Sequence, residues 1–185
     1  MSFQIESRFI GDFKTGDNIQ YNLRTLRSLY EKYPTENDRV EIAKPVIVSL
    51  ASIAEAMLYD LINLRIQSFT REGIQNIEAE TLSRIRSLTA NKFTVVIVQC
   101  KKHDLLQHVP IYEDLKELAS IRNRLHIQND KNHSPRDEAE IFTLESIMLA
   151  EKSVELIIRQ LLALYPREHH CVGPFVLPWN PHIPQ

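Results

Sequence analysis

A chain of 185 residues has the size of one domain and can bury a substantial core without disulfides or metals to staple it. Hydrophobic residues make up 43% of it and charged residues 25%, which excludes global disorder. The formal net charge of −2 excludes a uniformly basic nucleic-acid binder, so any contact with RNA or DNA has to come from a local patch.

Two cysteines, Cys100 and Cys171, are too few for a disulfide framework and point to a reducing, cytoplasmic compartment. The apolar runs are short and interrupted by polar residues, so no membrane span is expected. The first residues, Met1 to Glu6, lack the basic and apolar regions of a secretory leader. Only 4 glycines occur, and no two are closer than five positions. That excludes a glycine-rich phosphate loop and argues against a β-meander, which needs glycine in its tight turns. The composition points to an all-α protein.

In chain order, residues 1–17 alternate partly through Phe3, Ile5, Phe9, Ile10 and Phe13 and are expected to form an extended arm or short strand. A first helix is predicted from Asp17 or Asn18, either of which can cap it, through Ile19, Leu23, Leu26, Leu29 and Tyr30 to a stop at Pro34. Residues 34–38 read as a loop. A second helix follows, with Pro45 near its start or at a kink. From Val46 to about Phe69 it is apolar nearly all round, which predicts a central position. Residues 71–88 carry a modest stripe (Ile74, Ile77, Leu82, Ile85) and read as a surface helix or two short ones.

The run Phe93, Val95, Val96, Ile97, Val98 has strand character, but it continues without a turn signal and a lone strand has no partner, so helix is predicted. Pro110 suits the first position of a helix reaching about Asn129, and residues 130–134 read as a loop tip. Ser134 before Pro135 marks the start of a last helix over roughly 136–165. The tail, 166–185, holds five prolines and cannot be helical. Its Phe175, Leu177, Trp179 and Ile183 predict packing on the body or on a partner. The chain thus divides into an arm (1–17), a helical domain (18–165) and a proline-rich tail (166–185).

Charged residues in apolar rows carry the functional signal. Ile111, Leu115, Leu118 and Ala119 set a stripe whose next positions are Arg122 and then Leu125 and His126. Arg122 and His126 are four residues apart, so their side chains converge on one spot. In the second helix Glu55 shares a row with Ile47, Ala51, Leu58 and Ile62. A carboxylate there is costly unless paired, and Arg122 is its most economical partner. On the residues alone, the two form either an internal brace or a brace that doubles as a site.

The segment Leu118-Ala119-Ser120-Ile121-Arg122-Asn123-Arg124-Leu125-His126 resembles the signature of the HEPN superfamily, in which an arginine and a following polar residue precede a histidine on a late helix. Leu50 to Leu58, with Glu55, is similar to the first core helix of that family, and the resemblance covers about residues 40–165. The commonest form of the motif has four to six residues between arginine and histidine, whereas here Asn123, Arg124 and Leu125 intervene. The resemblance implies an up-and-down bundle of about five to six helices. It also implies a metal-independent, cofactor-free ribonuclease of toxin or phage-defence kind, acting as a homodimer with a composite cleft.

In that reading His126 transfers protons and Arg122 stabilises charge on the phosphate. Asn123 orients the histidine or the scissile phosphate, while Glu55 and Arg124 support the site. RNA is the implied substrate, with Lys131, His133 and Arg136 adding positive charge nearby. A nucleotidyltransferase-type antitoxin is the partner that family habit suggests. The rival expectation is a non-catalytic helical module that binds nucleotide, RNA or protein. His169, His170, Cys171 and His182 lack zinc spacing and no metal is expected. Cys100 is expected to be an inert core thiol, and Lys101, Lys102 and His103 a solvated helix end.

Overall fold

The computed structural model describes residues 2–62, 83–84, 87, 92–107, 109–124, 138–167 and 173–183. In chain order these form β1 (Phe3–Ile5), α1 (Phe13–Lys32), α2 (Glu36–Glu41), α3 (Ala43–Asp60), α4 (Phe93–Lys102), α5 (Val109–Asn123), α6 (Glu138–Ile141), α7 (Leu144–Leu164) and β2 (Phe175–Leu177). The protein is a helical bundle, as the composition predicts, and among the described residues it adds one two-stranded ribbon. The expected middle helices over 71–88 lie almost wholly outside the described residues, as do the second helix beyond residue 62 and the predicted loop tip.

Side-chain caps set the starts of α1, α2 and α7, and they move three predicted boundaries. Asp12 rather than Asp17 or Asn18 caps α1: its carboxylate accepts from Thr15 N at 3.1 Å and Thr15 Oγ1 at 2.7 Å. Those bonds stabilise the charged form and hold the Asp12 carboxyl below its ordinary pKa. Thr35 accepts from Asp38 N at 3.2 Å and converts most of the expected 34–38 loop into the start of α2. Thr143 accepts from Ser146 N at 3.3 Å, so the predicted single closing helix is two pieces, α6 and α7, divided at Phe142 and Thr143.

α3 occupies the centre, as its all-round apolar pattern requires. Val46, Ile47, Leu50, Ala51, Ala54, Met57 and Leu58 are fully buried. The helix packs most extensively on α7 and also meets α1, α4 and α5. The Phe93–Val98 run is helical, and Phe93, Val96, Ile97 and Cys100 give α4 a buried face at spacings of three, four and seven. Burial pushes the Cys100 thiol up to about 12, which keeps it protonated and unreactive. At the helix end Lys101 remains exposed and forms an ion pair with Glu113 of α5.

The two ends of the chain meet. β1 and β2 pair antiparallel, with Phe3 opposite Leu177, Gln4 opposite Val176 and Ile5 opposite Phe175. Phe175 and Leu177 point inward, and the Phe175 ring lies 5.0 Å from that of Phe9. The tail therefore packs on the body, against α1. Gly11 N donates to Asp60 Oδ2 at 2.9 Å, and Arg167 N donates to Arg8 O at 3.1 Å. A Cβ at Gly11 would meet the far end of the Arg167 side chain, so a larger residue there would have to displace that guanidinium. Among the described residues no helix is long and apolar enough to cross a membrane.

Candidate functional site

The pairing expected between α3 and α5 is present. Arg122 Nη2 donates to Glu55 Oε2 at 3.2 Å, and the two side chains remain 35% and 30% exposed. Glu55 therefore sits at the rim of the core and not inside it, although its row neighbours Ala51 and Leu58 are fully buried. Arg122 belongs to the last turn of α5, one position before that helix ends at Asn123. Its other terminal nitrogen lies 3.5 Å from Asn123 Oδ1, at the outer limit of a hydrogen bond, and Asn123 is exposed. Arg124 is half-buried just beyond the helix, where its N–H donates to Ile121 O at 3.1 Å. His126 lies outside the described residues, as do Lys131, His133 and Arg136. Thus Glu55, Arg122 and Asn123 stand together at one end of α5, and the guanidinium is held on one side while open to solvent on the other.

A second polar constellation escaped the sequence reading. Glu151 and Glu155, one turn apart on α7, are 3% and 0% exposed. Two carboxylates this deep need donors on nearly every oxygen. Glu151 Oε1 accepts from Tyr30 Oη at 2.6 Å, and Glu151 Oε2 lies 2.7 Å from His182 Nε2. Glu155 Oε1 accepts from Arg159 Nε and Nη2 at 3.0 and 2.8 Å, and its Oε2 accepts from His182 N at 2.9 Å. Arg159 Nη2 also donates to Ile183 O at 3.1 Å. The tail is thereby clamped on α7 through His182 and Ile183. In the sequence His182 stands only as a metal-ligand candidate without zinc spacing. It serves as this clamp, and among the described residues no group of three or more potential ligands gathers to hold a metal. His169, His170 and Cys171 lie outside the described residues.

The signal for this cluster was available. Glu151 follows Ile147 by four and Glu155 precedes Ile158 by three, so both stand in the apolar row of the closing helix, as Glu55 does in its own. The hydrogen bond that His182 donates to the Glu151 carboxylate, aided by the charges of Glu151 and Glu155, raises the His182 pKa against the opposing effects of burial and Lys152. On the other side of Glu151, burial pushes the Tyr30 hydroxyl far above its ordinary value, so it stays a donor, and Arg39 sits over its ring. A histidine whose folded pKa exceeds its unfolded one contributes stability fully below about pH 6.5 and loses it as pH rises through the folded pKa. Unfolding free energy, followed by the emission of the sole tryptophan, Trp179, is therefore expected to fall as pH is raised from about 6 to about 9. His182→Gln should flatten that slope, and an unchanged slope in the variant would rule the clamp out as its cause.

The chain matches no protein-family model, no curated protein and no solved structure.

Proposed function

We propose that the chain is a metal-independent endoribonuclease of the HEPN type, of the toxin or phage-defence kind, working as a homodimer. The observation that carries this reading is the Arg122 guanidinium, tethered by Glu55 yet 35% exposed, with Asn123 beside it at the end of α5. An arginine serving the fold alone is expected to spend its donors inward. This one keeps part of its fork toward solvent, where a phosphate can reach it.

In the proposed reaction a ribose 2′-OH gives its proton to His126 and attacks the adjacent phosphorus. The bond from phosphorus to the 5′-oxygen breaks, and that oxygen takes a proton. The products are a 2′,3′-cyclic phosphate and a free 5′-hydroxyl, with no net redox change and no cofactor. Arg122 stabilises the charge building on the phosphate oxygens, Asn123 orients the phosphate, and Glu55 fixes the guanidinium. Arg124 supports the site as a contact to the RNA backbone. A nucleotidyltransferase-type antitoxin is the partner this reading suggests.

The second reading is a non-catalytic helical module, favoured by the Arg122–Glu55 bond itself, which serves a fold equally well. RNA cleavage by purified protein separates the two. His126→Ala is expected to lower cleavage by about 10²-fold or more while shifting stability by less than about 0.5 kcal/mol. Arg122→Ala should abolish cleavage and cost about 1 kcal/mol, the scale of a partly exposed ion pair. Intact RNA after long incubation with wild-type protein between about pH 6 and pH 9 would sink the enzyme and leave the module.

A further inference from the structure

Along the side of α1 that faces the tail run two cavities of about 250 and about 240 Å³ that share Arg27 as a common wall. The first is bounded by Leu23 and Arg24 of α1 and by Pro174 and Val176 of the tail. The second is bounded by Tyr30, Glu31, Pro34, Arg39 and Pro178. Together they form a groove between a helix and a ribbon. Among the described residues its walls are leucine, valine and proline together with Ser2, Gln20 and Tyr30, and its charged groups are three arginines against one glutamate. The excess of positive charge is local, since the whole chain carries −2.

The arginines are not equivalent. Arg27 is paired with Glu31 at 2.8 Å. Arg24 is exposed on α1, and among the described residues its guanidinium meets no carboxylate. Arg39 likewise meets no carboxylate among them. It stacks with its guanidinium carbon 4.6 Å from the centre of the Tyr30 ring, which is itself pinned through its hydroxyl to Glu151. Arg39 is therefore held in position before any ligand arrives, which lowers the entropy lost on binding.

The geometry points to a docking groove for an acidic linear peptide, whose carboxylates pair with Arg24 and Arg39 while its apolar side chains fill the spaces beside Leu23, Val176 and the prolines. Single-stranded nucleic acid fits less well. Such ligands are held by stacking on open aromatic faces as well as by charge. The aromatic ring that lines this groove, Tyr30, is 5% exposed and already covered by Arg39. A peptide needs no stacking platform, and carboxylates match the arginine fork in two-point contacts. This inference does not rest on the nuclease reading, because a chain that never cuts RNA offers the same groove.

Selection of a random peptide library on the intact, immobilised protein tests it. Retained sequences are expected to combine acidic with apolar residues, and Arg24→Glu should weaken a retained peptide by about tenfold or more, the scale of one charge-assisted pair turned repulsive. Arg24 is exposed, so this variant keeps the fold. Arg39→Gln, checked by thermal melting, should weaken binding further. Arg122→Ala should leave binding unchanged, which separates this groove from the proposed RNA site. The inference is overturned by a library that enriches no acidic peptides, by equal binding to Arg24→Glu, or by a groove that retains a 2′-O-methyl oligonucleotide in place of peptides.

Discussion

Replacing Glu151 with alanine is expected to lower the stability of the fold by about 3 kcal/mol or more, the cost of breaking a buried charged cluster by removing one member. Two donors lose their acceptor at once. The Tyr30 hydroxyl is left unpaired on a side chain that is 5% exposed, and His182 loses the carboxylate that raises its pKa. An orphaned buried hydroxyl alone costs about 1–3 kcal/mol. Glu151→Gln keeps an acceptor for Tyr30 and should lose less than half as much. Chemical denaturation followed by far-UV dichroism and by Trp179 emission measures both. If the alanine variant unfolds within about 0.5 kcal/mol of wild type, the cluster is ornamental and the clamp has been misread.

Trp179 should be the other large contributor. It is 2% exposed and sits between β2 and the His182 clamp, so truncation to alanine is expected to cost about 3–5 kcal/mol. Its indole nitrogen is buried and has no hydrogen-bond partner among the described residues. Trp179→Phe therefore loses packing volume but no hydrogen bond, and should cost under about 2 kcal/mol. A phenylalanine variant as unstable as the alanine one would mean that the N–H does bind a partner. A double-mutant cycle of Trp179→Ala with Glu151→Ala should show a coupling of at least about 1 kcal/mol, because each change frees the same segment.

The central helix was legible because apolar residues surround its axis, and α4 was legible because a strand there would have lacked a partner. The Glu55–Arg122 contact was legible because a charge in an apolar row has to be answered by another. Glu151 and Glu155 were missed although the same test identifies them. Arg159 stands one turn from Glu155 on the same helix, but the other partners are a tyrosine far upstream and a tail histidine whose docking no periodicity encodes. Helix starts moved for a similar reason. Asp12, Thr35 and Thr143 each act through one or two local hydrogen bonds to the residue three positions on, which apolar periodicity does not register. The ribbon was half legible: alternation suggested a strand in the arm, but nothing local indicates that residues 175–177 pair with it.

That pairing has a consequence for how the protein is made. β1 is made well before its partner strand, with the helices between them, so the ribbon cannot close until residues 175–177 have been made. Until then the seat on α1 that β2 covers stays open to water. A chain that stops short of residue 175 therefore lacks both the partner of β1 and the cover of that seat.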